Sequence, residues 1–420
     1  MNKLRFFLAS VTVCSMVGAY TPTNVHAPYD FTFSQHIWSP RTSCMVGVRT
    51  QHMLSNRAFD AQETKVPVTQ VYGGKESSLA MLEGSAPGTT LHALANRLRA
   101  TQDGTRGMFA VTGDLRWAQQ TIDIMYRISA LKLPGLFSVG VHVPVISAGF
   151  RNIAWQPLTK SVTLSDDLVN TTFVASQAQL AAFALQNGNL DITGHTKTGL
   201  GDIACMLNWS AHFLQQHRRL QDVLVTLRCG MTLPTAQQAP VNAPFTPDFG
   251  RDGSMTVPLG AGLRLDLGGG MRIGMDVGAT FIVRRRKEWR LKTSLAQTPY
   301  LQLSTDTATK EYGPEWRFTL YSQLDFGDTG LYGSAGYQFF KHTDSTFFPQ
   351  SDFMSAMVIN SSPLIDISES HNLVAGLTYV PKNSHLWRFL PEVMLQVTFP
   401  FSGKQIMSGV LLGGSVSLKF

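Results

Sequence analysis

The last sixteen residues of the chain, 405–420, alternate between apolar and polar side chains. Phe420, Leu418 and Val416 fall on one face of an extended strand, and Lys419 and Ser417 fall on the other. This period of two is typical of a β-strand. A tilted strand of about ten residues crosses a bilayer core with one face to lipid and the other to a lumen. The pattern therefore favours a membrane-spanning strand over its alternative, a buried strand of a soluble β-sandwich.

The same alternation recurs along the chain and predicts an all-β fold, an antiparallel transmembrane β-barrel. We count about fourteen strands, with twelve as the alternative. The fourteen segments are 29–37, 44–55, 107–117, 122–128, 137–143, 203–213, 223–231, 259–267, 271–283, 316–326, 331–340, 373–379, 389–399 and 405–420.

The lengths of the connections support this fold. With Phe420 at the periplasmic end, the turns at Pro134, Gln215, Gly268, Gly327 and Pro381 all fall on the periplasmic side, and all are short. The connections 147–198, 233–258, 285–312 and 341–370 fall outside, and all are long. Bacterial barrels have this arrangement.

One long connection breaks the rule. Alternation stops over residues 56–106, which carry two candidate short helices at 76–82 and 89–99 and fall on the periplasmic side in this count. We interpret residues 57–106 as a small helical insert, either a plug that fills the lumen or a periplasmic subdomain.

Composition agrees with a barrel. Charged residues make up 15% of the 420 residues, against roughly 25% in soluble proteins. No run of about 18 apolar residues follows the N-terminus, which argues against transmembrane helices. The net charge of +7 is spread along the chain, and the run 284–287 does not by itself predict a nucleic-acid partner.

Residues 1–19 are predicted to be a signal peptide, with a basic start, an apolar stretch and a small-residue cleavage site. The mature chain is then 20–420. Its three cysteines, Cys44, Cys205 and Cys229, are too few for a disulfide framework or a structural zinc site. Cys205 and Cys229 either form a bridge across paired strands or face lipid as small apolar side chains.

The polar face of the predicted strands carries charges of both signs. They either pair to hold a solvated lumen together or form a constriction that sets selectivity. The candidate lumen residues are Arg116, Arg127, Arg228, Arg264, Asp266, Arg272, Asp276, Arg284, Arg317 and Glu392. Aromatic residues on the opposite face are candidates for the girdles at the membrane interfaces: Trp117, Tyr126, Trp209, Trp316, Tyr337 and Tyr379.

Two outside connections carry apolar surfaces suited to capturing a ligand. The first is an amphipathic stretch, 174–186, and the second is an aromatic cluster, 347–357. The candidate capture residues are Leu180, Phe183, Leu185, Phe347, Phe348, Phe353 and Met354. The alternative is that these loops pack together and cap the barrel.

No nucleophile elbow, zinc-protease helix or phosphate-binding loop is present in the sequence. The glycines at 260, 262 and 268–270 lie on strands or a turn with no helix after them, unlike a nucleotide site. We therefore predict no enzymatic activity, no cofactor and no metal.

The barrel plan and the stretch Thr198-Gly199-Leu200-Gly201-Asp202-Ile203 that opens a strand resemble outer-membrane transporters of hydrophobic compounds. That group includes long-chain fatty-acid transporters and phenol-degradation-type barrels. The resemblance implies a channel in the bacterial outer membrane for passive uptake of small hydrophobic molecules. The chain departs from the fatty-acid transporters because its plug candidate follows two strands instead of standing at the mature N-terminus.

The terminal strand resembles the strand by which bacterial outer-membrane barrels are recognised for insertion. This implies that Phe420 contacts the assembly machinery. The other expected partners are membrane lipid and a small-molecule ligand, and we expect a monomer. Two alternatives to uptake remain open: a general diffusion porin with an open, charged lumen, and a structural or adhesive surface barrel.

Overall fold

The computed structural model describes residues 43–85, 88–99, 107–129, 134–158, 177–215, 217, 219–351, 354–381 and 390–420. The signal peptide at 1–19, the strand at 29–37 and the turn after Pro381 are predictions that lie outside the described residues.

The described part of the chain forms twenty strands. The first ten are β1 (Cys44–Ser55), β2 (Arg57–Phe59), β3 (Lys65–Pro67), β4 (Glu76–Ser77), β5 (Met108–Ile128), β6 (Leu136–Pro157), β7 (Thr196–Leu200), β8 (Ile203–Leu214), β9 (Asp222–Leu233) and β10 (Thr256–Asp266). The others are β11 (Met271–Ile282), β12 (Arg285–Arg290), β13 (Thr305–Glu311), β14 (Glu315–Asp325), β15 (Leu331–His342), β16 (Thr346–Pro349), β17 (Ser368–Tyr379), β18 (Leu390–Lys404), β19 (Ile406–Met407) and β20 (Val410–Lys419).

Helices are few and short. The α-helices of the described residues are α1 (Thr90–Arg99), α2 (Gln177–Gly188) and α3 (Ala356–Ile359), and the 3-10 turns are Val68–Gln70, Ala80–Leu82, Gly327–Thr329 and Pro363–Ile365. No helix in this part of the chain is both long enough and apolar enough to span a membrane.

Twelve of the described strands close into an antiparallel barrel. The order around the ring is β5-β1-β20-β18-β17-β15-β14-β11-β10-β9-β8-β6, and β6 pairs with β5 to close it. Two further strands, β4 and β7, extend the same sheet. The all-β barrel prediction is confirmed, with the alternative count of twelve strands in the ring.

The count of fourteen was wrong in part because β5 is one strand of 21 residues, where the sequence suggested two. The apolar residues of β5 change face partway along it. Trp117 is buried inside the barrel, whereas Ile122 and Ile124 are exposed on the outer surface. Since the inward face of β5 and β6 is apolar towards the outer end of the barrel, an inward residue there resembles a lipid-facing one, and the change of phase suggested a turn.

The two ends of the described chain meet at one end of the barrel. The amide of Cys44 donates to the Phe420 carbonyl oxygen at 3.0 Å, and the Phe420 amide donates to the Cys44 carbonyl oxygen at 2.9 Å. The short turns between β10 and β11 and between β14 and β15 lie at this end. By the rule for outer-membrane barrels, this end is periplasmic.

The described part of the insert 57–106 lies at the opposite end, with the long loops. It leaves the outer end of β1 and returns at the outer end of β5, and β2 pairs with β19 there. The prediction that the insert falls on the periplasmic side was therefore wrong. Merging two predicted strands into β5 reverses the direction of the chain at this point.

One face of each ring strand is apolar and exposed. Leu320, Leu395 and Leu412 are 47%, 61% and 57% exposed on this face, and most of their neighbours on it are apolar as well. Such a continuous apolar surface fits contact with lipid hydrocarbon. Cys205 and Cys229 lie on this face as free thiols, because Cys205 pairs with Met231 and Cys229 with Leu207.

The long loops build a second, smaller layer over the outer end. Strands β12, β13 and β16 form a three-stranded outer sheet, and β19, β2 and β3 form another. A large apolar cluster joins the insert, the inner wall of β5 and β6, helix α2 and the loop before β10. The loops therefore enclose a hydrophobic core of their own.

Candidate functional site

The inward face of the barrel carries paired charges at several levels. Arg49 Nη2 lies 3.3 Å from Asp123 Oδ1, and the same oxygen lies 2.7 Å from His142 Nδ1. Lys419 Nζ lies 2.6 Å from Glu392 Oε2. These groups are nearly all buried, since side chains from neighbouring strands cover one another. Each of these cations has a carboxylate partner, as buried ions require.

A second set of charged pairs lies across β9, β10 and β11. Arg228 on β9 binds Asp276 on β11 over the intervening strand β10, where Gly260 leaves room. Arg272 Nε lies 3.1 Å from Asp266 Oδ2 near the periplasmic end. The wall in this region therefore carries charges of both signs that neutralise each other.

The lumen is crossed near its outer end by the connection between β9 and β10. Ten consecutive residues of this connection, 245–254, are all buried, and we call them the inward segment. A loop is seldom buried over such a length, because its backbone groups need partners. Here the partners are side chains of the segment itself and of the barrel wall.

The inward segment contacts opposite walls of the barrel. At one wall, the ring of Phe249 meets the ring of Trp117 on β5 edge-on, with centroids 6.2 Å apart. At the other, Arg251 Nη2 lies 2.6 Å from Glu315 Oε2 on β14. Strands β5 and β14 are six places apart in either direction around the ring. The segment therefore spans the full width of the lumen.

Asp202, between β7 and β8, binds the connection between β9 and β10 at two points, one before the inward segment and one within it. Its Oδ1 accepts a hydrogen bond from the Ala236 amide at 3.1 Å, and its Oδ2 accepts one from the Arg251 amide at 3.0 Å. Lys197 Nζ donates to the carbonyl oxygens of Gln237 and Gln238, each at 2.6 Å. Residues 236–238, which precede the segment, and Arg251 within it are thus held from the β7 side.

Within the segment, Asp252 is the most strongly charged centre. It lies 3.5 Å from Lys287 and 3.2 Å from Lys310, and it accepts a hydrogen bond from the Tyr312 hydroxyl at 3.1 Å. Burial alone would raise the pKa of Asp252, but the two ammonium groups outweigh it and hold that pKa well below the usual range. Burial and the charge of Asp252 raise the pKa of Asp248 to about 7.

The described part of the insert 57–106 is bound to the connection between β12 and β13. Glu76 Oε2 accepts a hydrogen bond from the Tyr300 amide at 3.2 Å, and Gln297 Nε2 donates to the Glu83 carbonyl oxygen at 2.7 Å. Burial raises the pKa of Glu76 to about 8, although its hydrogen bonds act in the opposite direction. The connection between β12 and β13 therefore holds the insert in place.

The structure places most candidate lumen residues on the inward face. They are Arg127, Arg228, Arg264, Asp266, Arg272, Asp276, Arg317 and Glu392. Two others do not lie there. Arg116 is exposed on the outer surface of β5, because its neighbour Trp117 points inward. Arg284 is exposed beyond the end of β11.

The predicted girdle residues also divide between the outer surface of the barrel and its interior. Tyr126, Trp316 and Tyr379 lie on the outer surface and are 57%, 43% and 46% exposed. Trp209 and Tyr337 are half-buried on the same face. Placing Trp117 in the girdle was wrong, since it is 1% exposed and packs against the inward segment.

The candidate capture residues are largely inside the loop layer. Leu180, Phe347 and Met354 are buried, and Phe183 packs against the large apolar cluster. Leu185 and Phe348 are 52% and 51% exposed, and Phe353 lies outside the described residues. The alternative, loops that pack together and cap the barrel, describes the buried members of this set.

Sequence reasoning missed the inward segment, which it treated as part of a polar loop, 233–258. The available signal was composition. Phe245, Phe249 and three charged residues stand together in a short stretch without alternation. A cluster of aromatic and charged residues of this kind is compatible with a buried segment that crosses the lumen. The sequence does not say which strands of the barrel wall it contacts.

No protein-family model matches the chain, and no curated protein matches it. Among solved structures, it is similar to an outer membrane channel from Pseudomonas putida F1, with 9% identity and a TM-score of 0.53 over 92% of this chain and 98% of that one. The CymD monoaromatic hydrocarbon channel aligns with 9% identity and a TM-score of 0.33 over 90% of this chain and 89% of that one. A Pseudomonas aeruginosa FadL homologue aligns with 9% identity and a TM-score of 0.32 over 90% of each chain.

At 9% identity, the similarity to the Pseudomonas putida F1 channel concerns the fold alone. The chain has the fold of an outer-membrane β-barrel, a closed antiparallel barrel with an outer loop layer.

Proposed function

We propose that the protein is a monomeric outer-membrane channel for passive uptake of small hydrophobic molecules, closed at rest by the inward segment. This proposal rests on one observation: the inward segment crosses the lumen between Trp117 and Glu315. The obstruction is therefore a loop and not a part of the barrel wall. A loop can move aside without unfolding the barrel. The obstruction is therefore suited to opening and closing.

The apolar nature of the substrate is proposed from the loop layer. The loops at the outer end of the barrel enclose a large apolar cluster whose residues are buried. Apolar side chains that became accessible when the loops moved apart would favour partition of apolar solutes over polar ones. The insert 57–106 is proposed to act together with the inward segment, as an outer cover over the obstruction.

Single-channel recording tests the closure. Replacing residues 246–253 by a short Gly-Ser linker should convert a closed or flickering protein into one with sustained conductance. Deleting residues 57–106 should raise conductance less, because the inward segment would still cross the lumen. A wild-type protein that already conducts steadily would instead indicate a general diffusion porin.

A substrate measurement completes the test. Cells carrying the chain should take up a labelled aromatic hydrocarbon faster than cells without it, and a polar solute of similar size should show no such difference. Equal uptake in both strains would contradict the proposed substrate class.

A surface-interaction role is the second candidate, favoured by exposed apolar residues on the loop layer. Phe348 on β16 is 51% exposed and Met357 on α3 is 73% exposed. A barrel that served only this role would leave conductance and uptake unchanged when the inward segment is replaced.

A further inference from the structure

A small, partly open cavity lies in the loop layer, apart from the lumen. It is bounded by the outer sheet, by the connection between β12 and β13, and by the turn Pro363–Ile365, and its volume is about 70 Å³. Most of its wall is apolar, formed by residues that include Leu291, Tyr300, Phe347, Ile359, Leu364 and Ile365.

Three polar groups in this wall are buried and unused. Lys292, Gln302 and Ser362 are 7%, 2% and 5% exposed. Among the described residues, Gln302 Nε2 and Ser362 Oγ are fully buried and have no hydrogen-bond partner. The Lys292 side chain is mostly buried, and its Nζ forms no hydrogen bond or ion pair with a described residue. Unpaired buried donors are costly.

The other cations of the same wall have protein partners. Arg290 donates to the carbonyl oxygens of Val241, Gln302 and Gly188 at 3.1, 2.7 and 3.1 Å. Lys310 pairs with Asp252 at 3.2 Å. Lys292 therefore stands apart as the cation of this wall without a partner among the described residues, and burial lowers its pKa.

We propose that this cavity binds a short-chain monocarboxylate. An ammonium, a carboxamide nitrogen and a hydroxyl are all donors, so the missing partner is an acceptor with negative charge. The apolar wall provides for an alkyl chain and disfavours inorganic phosphate, which is polar on every side. A cavity of about 150 Å³ admits benzene, so 70 Å³ suits a chain of three or four carbons better than a ring.

In the bound state, the carboxylate lies against Lys292, Gln302 and Ser362, and the alkyl chain contacts Leu291, Phe347 and Ile365. The inference goes beyond the proposed uptake of hydrophobic molecules. It concerns an anion site in the loop layer and does not require passage through the lumen.

Binding of butyrate to the full-length folded protein in detergent tests the proposal, measured by calorimetry and by the carboxyl signal of ¹³C-labelled butyrate. Wild-type protein should bind butyrate saturably, and the neutral isostere butyramide should bind about tenfold more weakly or not at all. Lys292→Met, which keeps the alkyl stem and removes the charge, should lose about tenfold or more in affinity.

Matched variants keep the test independent of folding. Lys75→Met removes an exposed lysine elsewhere in the loop layer and should bind butyrate as wild type does. Gln302→Glu places a carboxylate beside Lys292 that competes with the ligand, so it should abolish binding while retaining a folded barrel, as judged by resistance to SDS at room temperature.

Three outcomes would overturn the proposal. They are the absence of butyrate binding at millimolar concentrations, equal affinity for butyramide, and unchanged affinity in Lys292→Met. Displacement of butyrate by phosphate or chloride at equal concentration would show a general anion site and contradict the carboxylate class. Single-channel conductance of Lys292→Met should match that of wild type, so failure of this site and failure of the proposed channel are separable.

Discussion

Arg251 and Glu315 form an ion pair inside the barrel, with Arg251 Nη2 2.6 Å from Glu315 Oε2 and side-chain exposures of 8% and 5%. One partner belongs to a loop and the other to the barrel wall. His342 Nδ1 lies 3.4 Å from the other oxygen of the same carboxylate. The pair is thus the fixed point at which the inward segment meets β14.

Replacing Arg251 by methionine should release the inward segment from this wall. The change leaves the buried carboxylate of Glu315 beside His342 without the charge of Arg251. Removing one member of a buried ion pair costs about 3–5 kcal/mol, which is large for the attachment of a single loop. We expect longer and more frequent open events in single-channel recordings.

Arg272→Met provides the matched control for that experiment. It breaks another arginine pair of the lumen, Arg272 with Asp266, but at the periplasmic end and at greater exposure. Its conductance should stay close to that of wild type. If both variants opened the channel equally, loss of lumen charge would explain the effect, and the crossing would not.

Glu76 should make the attachment of the insert dependent on pH. Its pKa is about 8 in the folded protein against 4.5 for an exposed carboxyl. The folded state therefore binds the proton more tightly, and the stability of the attachment falls as pH rises from 4.5 to 8. The decline is at most about 5 kcal/mol, at about 1.4 kcal/mol for each unit of pKa difference.

Hydrogen exchange of the amides of residues 76–82, corrected for intrinsic rates, measures this decline. Protection should be high at pH 5 and lower at pH 9. Glu76→Gln keeps an acceptor for the Tyr300 amide and cannot ionise, so its protection should be the same at both values. A wild-type protein with equal protection at both would contradict the assigned role.

Much of the barrel follows from the sequence, because lipid imposes a period of two that the strands cannot avoid. The segments around β8, β9, β10, β11, β14, β15 and β20 were located within a few residues, as was helix α1. The pattern failed where the barrel interior is itself apolar. At Trp117 the inward and outward positions look alike in sequence, and the strand count and the direction of the insert both changed as a result.

The closure of the lumen was harder to predict, for a different reason. Phe249 and Arg251 stand in a connection rich in proline, and their partners are more than 60 residues away in sequence. Local pattern carries no information on which wall such residues reach. Most of the lumen charges, in contrast, lie on strands, where alternation fixed their face.

A charge on the lipid-facing side should destabilise the barrel more than the same charge inside it. Leu320 is at the middle of β14 and is 47% exposed on the outer face, whereas Gln323 is half-buried on the inward face. Leu320→Lys should cost about 2–4 kcal/mol in a lipid bilayer, and Gln323→Lys should cost much less. Urea unfolding in vesicles measures both, and equal costs would contradict the assignment of the two faces.

Gly250 tests the inward segment by shape instead of by charge. A Cβ at this position would overlap Asp202 Oδ2 and lie 2.7 Å from Ala236 Cβ, so Gly250→Ala must push the segment away from Asp202. Overpacking of this kind costs about 1–3 kcal/mol, and the hydrogen bond from the Arg251 amide to Asp202 would be strained with it. We therefore expect open events to increase, though less than in Arg251→Met.

Gly73→Ala is the control, since no heavy atom lies within 4 Å of a Cβ there, and it should behave as wild type. Conductance unchanged in Gly250→Ala would show that the segment does not depend on close contact with Asp202, and the crossing could then not be the element that closes the lumen.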